Sequence, residues 1–183
     1  MLILASSSPR RHQLLAAAGV EFSVASPDID ETPREGERPV FYVERLAREK
    51  AAAVEGAFVI AADTTLECDG VILGKPADDA DARSMLQSLS GRSHFVHTGV
   101  AVRRGVEVAS LSVSTEVTFI ELTDADVDWY ISTGEPSDKA GAYAMQGGAA
   151  RFVSVIKGSF SGVIGLPMAE TIALLRAMSE TSL

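Results

Sequence analysis

The sequence predicts an α/β fold, a mixed sheet flanked by helices. Three observations carry this. Apolar runs of strand length alternate with amphipathic stretches of helical period from residue 2 to residue 178. The chain opens as strand, serine loop and helix, a unit from which such sheets grow. Hydrophobic residues make up 46% of its 183 positions, enough for a buried core without disulfides, and Cys68 is the single cysteine.

Leu2–Ala5 is a short apolar run, read as a buried strand. Ser8 then stands at an N-cap position, and Pro9 suits the first turn of a helix that passes Leu14, Leu15 and Ala18 and stops at Gly19. Residues 21–25 read as a second strand and residues 27–36 as an acidic loop. Residues 39–54 form an amphipathic helix with Val40, Val43, Leu46 and Ala47 on one face. Residues 58–62 read as a central strand ending at Asp63, followed by a hairpin over residues 67–73 turning at Asp69-Gly70. Asp79–Leu89 is a helix closed by Gly91. Residues 94–102 and 106–120 are longer strands joined near Arg104-Gly105. Thr123-x-x-Asp126 caps a helix over residues 123–133, which Gly134 ends. A Gly/Ala-rich loop over 135–150, a strand over 151–156 and a helix over 167–178 complete the chain. No repeat, low-complexity tract or linker divides it, so one domain over residues 1–183 is expected.

The net charge of −9 argues against nucleic-acid binding, whose affinity comes mainly from neutralising phosphates. No polybasic segment suits an anionic membrane, and no apolar stretch approaches the roughly 18 residues that cross one. The N-terminus lacks the features of a signal peptide, so a soluble cytoplasmic protein is expected. His12, His94 and His97 show no metal-ligand or serine-triad spacing, and they and Cys68 read as packed residues.

Five features carry candidate chemistry. Ser6-Ser7-Ser8 at a helix N-terminus offers backbone N–H groups, the helix dipole and hydroxyls to an anion. Arg10 and Arg11 sit in that first turn, where the dipole disfavours cations, and a bound phosphate would remove the conflict. Asp63 closes an apolar strand, at the sheet edge where ligands bind, placed to hold a metal or take a proton from water; it serves equally to cap the turn through Thr64. Glu31, in the acidic loop, is either a second metal-binding carboxylate or a solvated one. Lys50 and Lys75 are either phosphate contacts or surface lysines, and Gln146 offers donor and acceptor to a base edge or lies in a flexible loop.

Together the pieces resemble the Maf family of nucleoside triphosphate pyrophosphatases. The matching blocks are Leu4-Ala-Ser-Ser-Ser-Pro-Arg-Arg11, Asp30-Glu31-Thr32, Leu46-Ala-Arg-Glu-Lys50, Ala62-Asp-Thr64 and Gly74-Lys-Pro76. Leu89-Ser-Gly91, Asp138-Lys-Ala-Gly-Ala-Tyr143, Gln146-Gly147 and Gly165-Leu-Pro167 follow in the family's order. The resemblance implies a fold like that of the inosine-triphosphate pyrophosphatases: a twisted mixed sheet in two lobes around a deep cleft. It implies hydrolysis of a nucleoside triphosphate to monophosphate and pyrophosphate with Mg²⁺ or Mn²⁺, in a homodimer, and a link to septum formation. By position, Ser8 and Arg11 match the phosphate loop, and Glu31, Lys50, Asp63 and Lys75 the polar active-site set. Asp63 matches the proton acceptor, and Glu31 and Asp63 are expected to hold the metal together. Arg10, Thr64 and Gln146 match the subgroup of dTTP/UTP pyrophosphatases. The 7-methyl-GTP subgroup tends instead to carry an aromatic residue, Gln and Glu there. A cationic methylated purine favours an aromatic surface and a carboxylate, which Arg10 and Gln146 do not supply. That methylated nucleotide, or a non-catalytic regulator of septum formation, is the alternative reading.

Overall fold

The computed structural model describes residues 1–180. Its strands are β1 (Leu2–Ala5), β2 (Phe22–Ala25), β3 (Phe58–Cys68), β4 (Val71–Leu73), β5 (Ser93–Arg104), β6 (Glu107–Phe119) and β7 (Val153–Lys157). They form one mixed sheet in the order β2-β1-β3-β5-β6-β7, with β4 attached to β3. β1 pairs in parallel with β2 and β3, and every later pairing is antiparallel.

The expected strand end at Asp63 is corrected. β3 runs on to Cys68, because β5 stays paired with it from Arg104 opposite Phe58 to Phe95 opposite Glu67. What ends at this level is β1, whose last residue, Ala5, lies opposite Ala61. The sheet loses a strand there, and Asp63 and Thr64 border the space beyond the end of β1. The hairpin is as expected, with Asp69 and Gly70 both at positive φ between Cys68 and Val71.

The helices are α1 (Pro9–Ala17), α2 (Pro39–Ala53), α3 (Asp79–Leu89), α4 (Asp124–Ser132), α5 (Phe160–Ile164) and α6 (Met168–Glu180). Five residues with a central glycine carry too little periodicity to announce α5, which Ser159 caps by accepting from the Gly162 N–H. Strand alternation divides the sheet between two helical layers. Val59, Ala61 and Ala101 pack with Ala47 and Ala51 of α2. Ile60, Ala62, Val100 and Val102 pack with Leu15 of α1 and with Leu175 and Met178 of α6. A third cluster joins Leu66, Val96 and Phe119 to Leu86, Val127, Tyr130 and Phe152.

Residues 135–152 are not a free surface loop. They form three 3-10 turns, Glu135–Asp138, Ala140–Ala142 and Gly148–Phe152, and bury Pro136, Ala142, Tyr143, Met145, Ala149 and Phe152. Tyr130 is core, whereas Trp129 is half-exposed beneath the Arg151 guanidinium, 4.5 Å from its ring centre.

His94, His97 and Cys68 are packed residues, and the half-buried His12 places Nε2 2.7 Å from the Ser6 carbonyl oxygen. His97 stands in a serine–histidine–glutamate row that sequence spacing does not show: Nδ1 is 2.8 Å from Ser114 Oγ and Nε2 is 2.9 Å from Glu67 Oε2. These residues lie on neighbouring strands and satisfy both nitrogens of a buried ring. Cys68 is buried, which pushes its thiol up and leaves it unactivated.

Candidate active site

A pocket of about 420 Å³ opens beyond the end of β1. The serine loop and the start of α1 bring Ser8, Arg10 and Arg11 to it, α2 brings Lys50, and β3 brings Asp63 and Thr64. Glu31 reaches it from the acidic loop, Lys75 from the turn after β4, and Gln146 from the segment between the second and third 3-10 turns. All nine residues singled out from the sequence therefore border one space.

Its charged floor is a bridged pair of carboxylates. Lys50 Nζ lies 2.6 Å from Asp63 Oδ1 and 2.7 Å from Glu31 Oε1. Lys50 and Asp63 are buried, with side chains 9% and 10% exposed, whereas Glu31 is 56% exposed. Lys50 reaches Asp63 because Gly99, opposite Asp63 on β5, lets α2 lie against the sheet: a Cβ there would stand 2.3 Å from the Val43 carbonyl oxygen. The Tyr42 hydroxyl donates to the Glu31 carbonyl at 2.9 Å and tethers the acidic loop to α2. Burial, then the charges of Asp63 and Glu31, push that phenol up to about 12, so it remains a donor.

Arg11 is locked in place beside the start of α1. Its Nε donates to the Gly165 carbonyl at 2.8 Å, Nη2 to Thr64 Oγ1 at 3.1 Å and Nη1 to Ser6 Oγ at 3.4 Å. Burial lowers its pKa while Asp63 and Glu31 act to raise it, and a guanidinium in such company stays charged. Thr98 donates its only hydroxyl proton to the Gly162 carbonyl at 2.8 Å. In its 3.0 Å contact with Thr98, Thr64 is therefore the donor, which leaves the Thr64 oxygen to accept from Arg11. The row runs from Arg11 through Thr64 and Thr98 to Gly162 with one polarity. Sequence reasoning missed Ser6 and Gly165 as anchors of Arg11, the latter 154 positions away with no local pattern.

Ser8 occupies the N-cap position, but its hydroxyl does not cap; its N–H donates to Ser6 Oγ at 3.1 Å. Pro9 has no N–H and the His12 N–H donates to the Ser8 carbonyl at 3.2 Å, so Arg10 and Arg11 carry the first-turn N–H groups without intrahelical acceptors, and both residues line the pocket. Among the described residues Arg10 and Lys75 make no salt bridge. Both face a pocket that Arg11 and Lys139 also border and in which Lys50 is already neutralised, and Asp138, paired with Lys139 on the same rim, also feels the Arg10 charge.

A divalent metal fits the chemistry of the donor set. Glu31 and Asp63 each place an oxygen within 2.7 Å of one point, the Lys50 nitrogen, so both converge where a cation already sits. Hard cations take such oxygens and fill their remaining positions with water and substrate phosphate. Among the described residues no three His, Cys, Asp or Glu side chains converge as a ready metal cage, so the protein would supply the smaller part of the shell.

The chain matches the family described as Maf-like protein over residues 1–178. It is 55% identical over 180 residues to the dTTP/UTP pyrophosphatase of Anaeromyxobacter dehalogenans (strain 2CP-C), covering 96% of this chain and 92% of that one. It is 51% identical over 179 residues to the protein of that name in Myxococcus xanthus, covering 96% and 91%. With the Pseudoalteromonas atlantica protein of the same name it shares 49% over 187 residues, covering 98% and 97%. On the extent of the family match and on these identities over nearly the full length, the chain belongs to the Maf family.

Proposed function

We propose that this protein hydrolyses nucleoside triphosphates, dTTP and UTP foremost, to the monophosphate and pyrophosphate. The observation that carries the reading is the Lys50-bridged pair of Asp63 and Glu31 at the floor of a pocket bordered by Arg10, Arg11 and Lys75. The relatives named dTTP/UTP pyrophosphatase support the substrate class.

An anionic phosphate repels nucleophiles, so hydrolysis needs neutralised charge and a positioned water. Arg10, Lys75 and the first-turn N–H groups beside Ser8 receive the triphosphate, and Arg11 offers its remaining donors from a fixed position. Asp63 accepts a proton from the attacking water while Lys50, 2.6 Å from Oδ1, orients its carboxylate. The water oxygen bonds to the α-phosphorus, the bond to the bridging oxygen breaks, and pyrophosphate leaves with that electron pair. Mg²⁺ or Mn²⁺ held by Glu31 and Asp63 would supply further neutralisation of phosphate charge. Gln146 presents an amide whose oxygen matches the N3–H, and whose nitrogen matches the O4, of uracil or thymine. Thr64 acts on specificity through the Arg11 it holds. The family resemblance extends the reading to a homodimeric, cytoplasmic enzyme, the dimer being testable by light scattering.

The test is product analysis with Mg²⁺ or Mn²⁺ on dTTP, UTP, CTP, GTP, 7-methyl-GTP and ITP. Monophosphate plus pyrophosphate, fastest from dTTP and UTP, is the expected result. The same products mainly from 7-methyl-GTP would overturn the specificity, and no turnover by folded, metal-loaded protein would overturn the reaction.

A further inference from the structure

The segment that carries Gln146 is gripped at both shoulders by two residues outside the pocket. On one side the Ala144 N–H donates to Tyr130 Oη at 3.0 Å. On the other the Gly148 N–H donates to the Glu135 carboxylate, 2.9 and 3.1 Å from its two oxygens. Tyr130 is fully buried near the end of α4, and Glu135 opens the first 3-10 turn after it. The two anchors lie close together: burial raises the Tyr130 phenol most, and the nearby Glu135 carboxylate adds to the rise. One polar unit therefore accepts backbone donors from residues on either side of Gln146.

The packing around the unit is tight. A Cβ on Gly147 would lie 2.2 Å from a Glu135 carboxylate oxygen, and one on Gly148 would lie 2.9 Å from the Trp129 ring. The two glycines let the carboxylate and the indole close directly on the backbone. Met145 and Ala149 are buried to either side, while Gln146 is exposed into the pocket. The geometry is that of a short arch with its feet fixed and its crown presented to the ligand.

We infer that Glu135, acting with Tyr130, is a positioning residue for substrate selection: it fixes the arch over residues 144–148 so that Gln146 meets a pyrimidine edge rather than a purine one. The inference rests on the proposed role of Gln146 as the base reader. Glu135 itself does not border the pocket and touches no reacting group. Its removal therefore widens selection more than it slows the chemical step. A residue serving stability alone would lower the melting temperature and scale turnover of every nucleotide alike.

The experiment compares wild type with Glu135→Ala, Glu135→Gln, Tyr130→Phe and Gln146→Ala. Two readouts are used, the ratio of kcat/KM for UTP over GTP and backbone amide exchange across residues 141–152. Glu135→Ala is expected to speed exchange in that segment and to lower the UTP/GTP ratio about tenfold, the worth of one hydrogen bond to a charged group, with kcat on UTP within threefold of wild type. Glu135→Gln, which keeps an acceptor for Gly148, should recover most of the ratio. Tyr130→Phe should free the Ala144 side and lower the ratio in the same direction, so the test stands even where Glu135→Ala fails to fold. Unchanged exchange in both Glu135→Ala and Tyr130→Phe would overturn the clamp. So would faster exchange with an unchanged ratio, provided Gln146→Ala does lower it. A ratio that Gln146→Ala leaves intact would instead overturn Gln146 as the reader, and with it the selective purpose of the clamp.

Discussion

Gly99 stands directly opposite Asp63 in the β3–β5 pairing, and the absence of its side chain lets α2 rest on the sheet at that point. The obstacle to any larger residue is main chain, the Val43 carbonyl, which cannot rotate away as a side chain can. Gly99→Ala must therefore push α2 outward, and overpacking of this kind costs about 1–3 kcal/mol. A protein of this size loses about 2–4 °C of Tm per kcal/mol. Because Lys50 rides on α2, its 2.6 Å contact with Asp63 opens as well, and kcat/KM should fall by at least about tenfold. Lowered Tm with wild-type kcat/KM would show that the seating of α2 does not govern the site.

Asp63→Asn separates chemistry from folding. Asn has nearly the same shape, its carbonyl still accepts from Lys50, and Lys50 keeps Glu31 as counter-charge. The variant should melt within a few degrees of wild type. An amide takes no proton from water and is a poor metal ligand, so turnover should drop by about 10²–10⁴-fold. Pyrophosphate release at more than a tenth of the wild-type rate, from a folded variant, would remove Asp63 from the role of proton acceptor.

Lys50→Met tests the point at which the two carboxylates converge. Removing one partner of a buried ion pair costs about 3–5 kcal/mol, and the exposed Glu31 relieves part of it by swinging into water. Saturating Mn²⁺ should raise the Tm of this variant more than that of wild type, since the cation takes the place of the ammonium. In wild type, where Lys50 already neutralises the floor, chelation should stop turnover and lower Tm by less than it does in the variant. Equal Tm shifts with Mn²⁺ in the two proteins would place the metal elsewhere.

What the sequence made legible was local. Ser8, Arg10 and Arg11 could be assigned to one anion-binding loop because four consecutive positions carry the signal. The capping box at Thr123 and Asp126 and the turn at Asp69-Gly70 were readable for the same reason. Lys50 and Asp63 could each be singled out, but not their contact, which depends on α2 lying over a glycine far along the chain. The continuation of β3 past Asp63 was hidden because Thr64 and Thr65 look like a polar turn, while their partners Thr98 and His97 lie on another strand. The compact form of residues 135–152 was hidden too, since small residues read alike whether they permit mobility or close packing.

His94 gives the protein an acid sensitivity that can be dated to one group. Its ring is 1% exposed between the edges of Phe119 and Tyr143, with Nε2 2.8 Å from Tyr143 Oη and Nδ1 without a hydrogen-bond partner among the described residues. Burial lowers its pKa from 6.5 to about 4. Below pH 6.5 the unfolded chain binds a proton that the folded protein refuses, so stability falls as pH drops from 6.5 towards 4 and then levels off for this group. The full loss is of order 3 kcal/mol, from about 1.4 kcal/mol per unit. Glu37, held down to about 2 by Arg45, loses its contribution only as pH falls below 4.5, so the span from 6.5 to 4.5 reports on His94 with little interference from it. His94→Gln keeps a neutral hydrogen-bonding group beside Tyr143 and removes the titration. Its Tm should lie below that of wild type at pH 7 and approach it as pH falls to 4.5. Parallel Tm–pH curves for the two proteins over that span would show that His94 is protonated in the folded state and that its burial is not the source of the acid sensitivity.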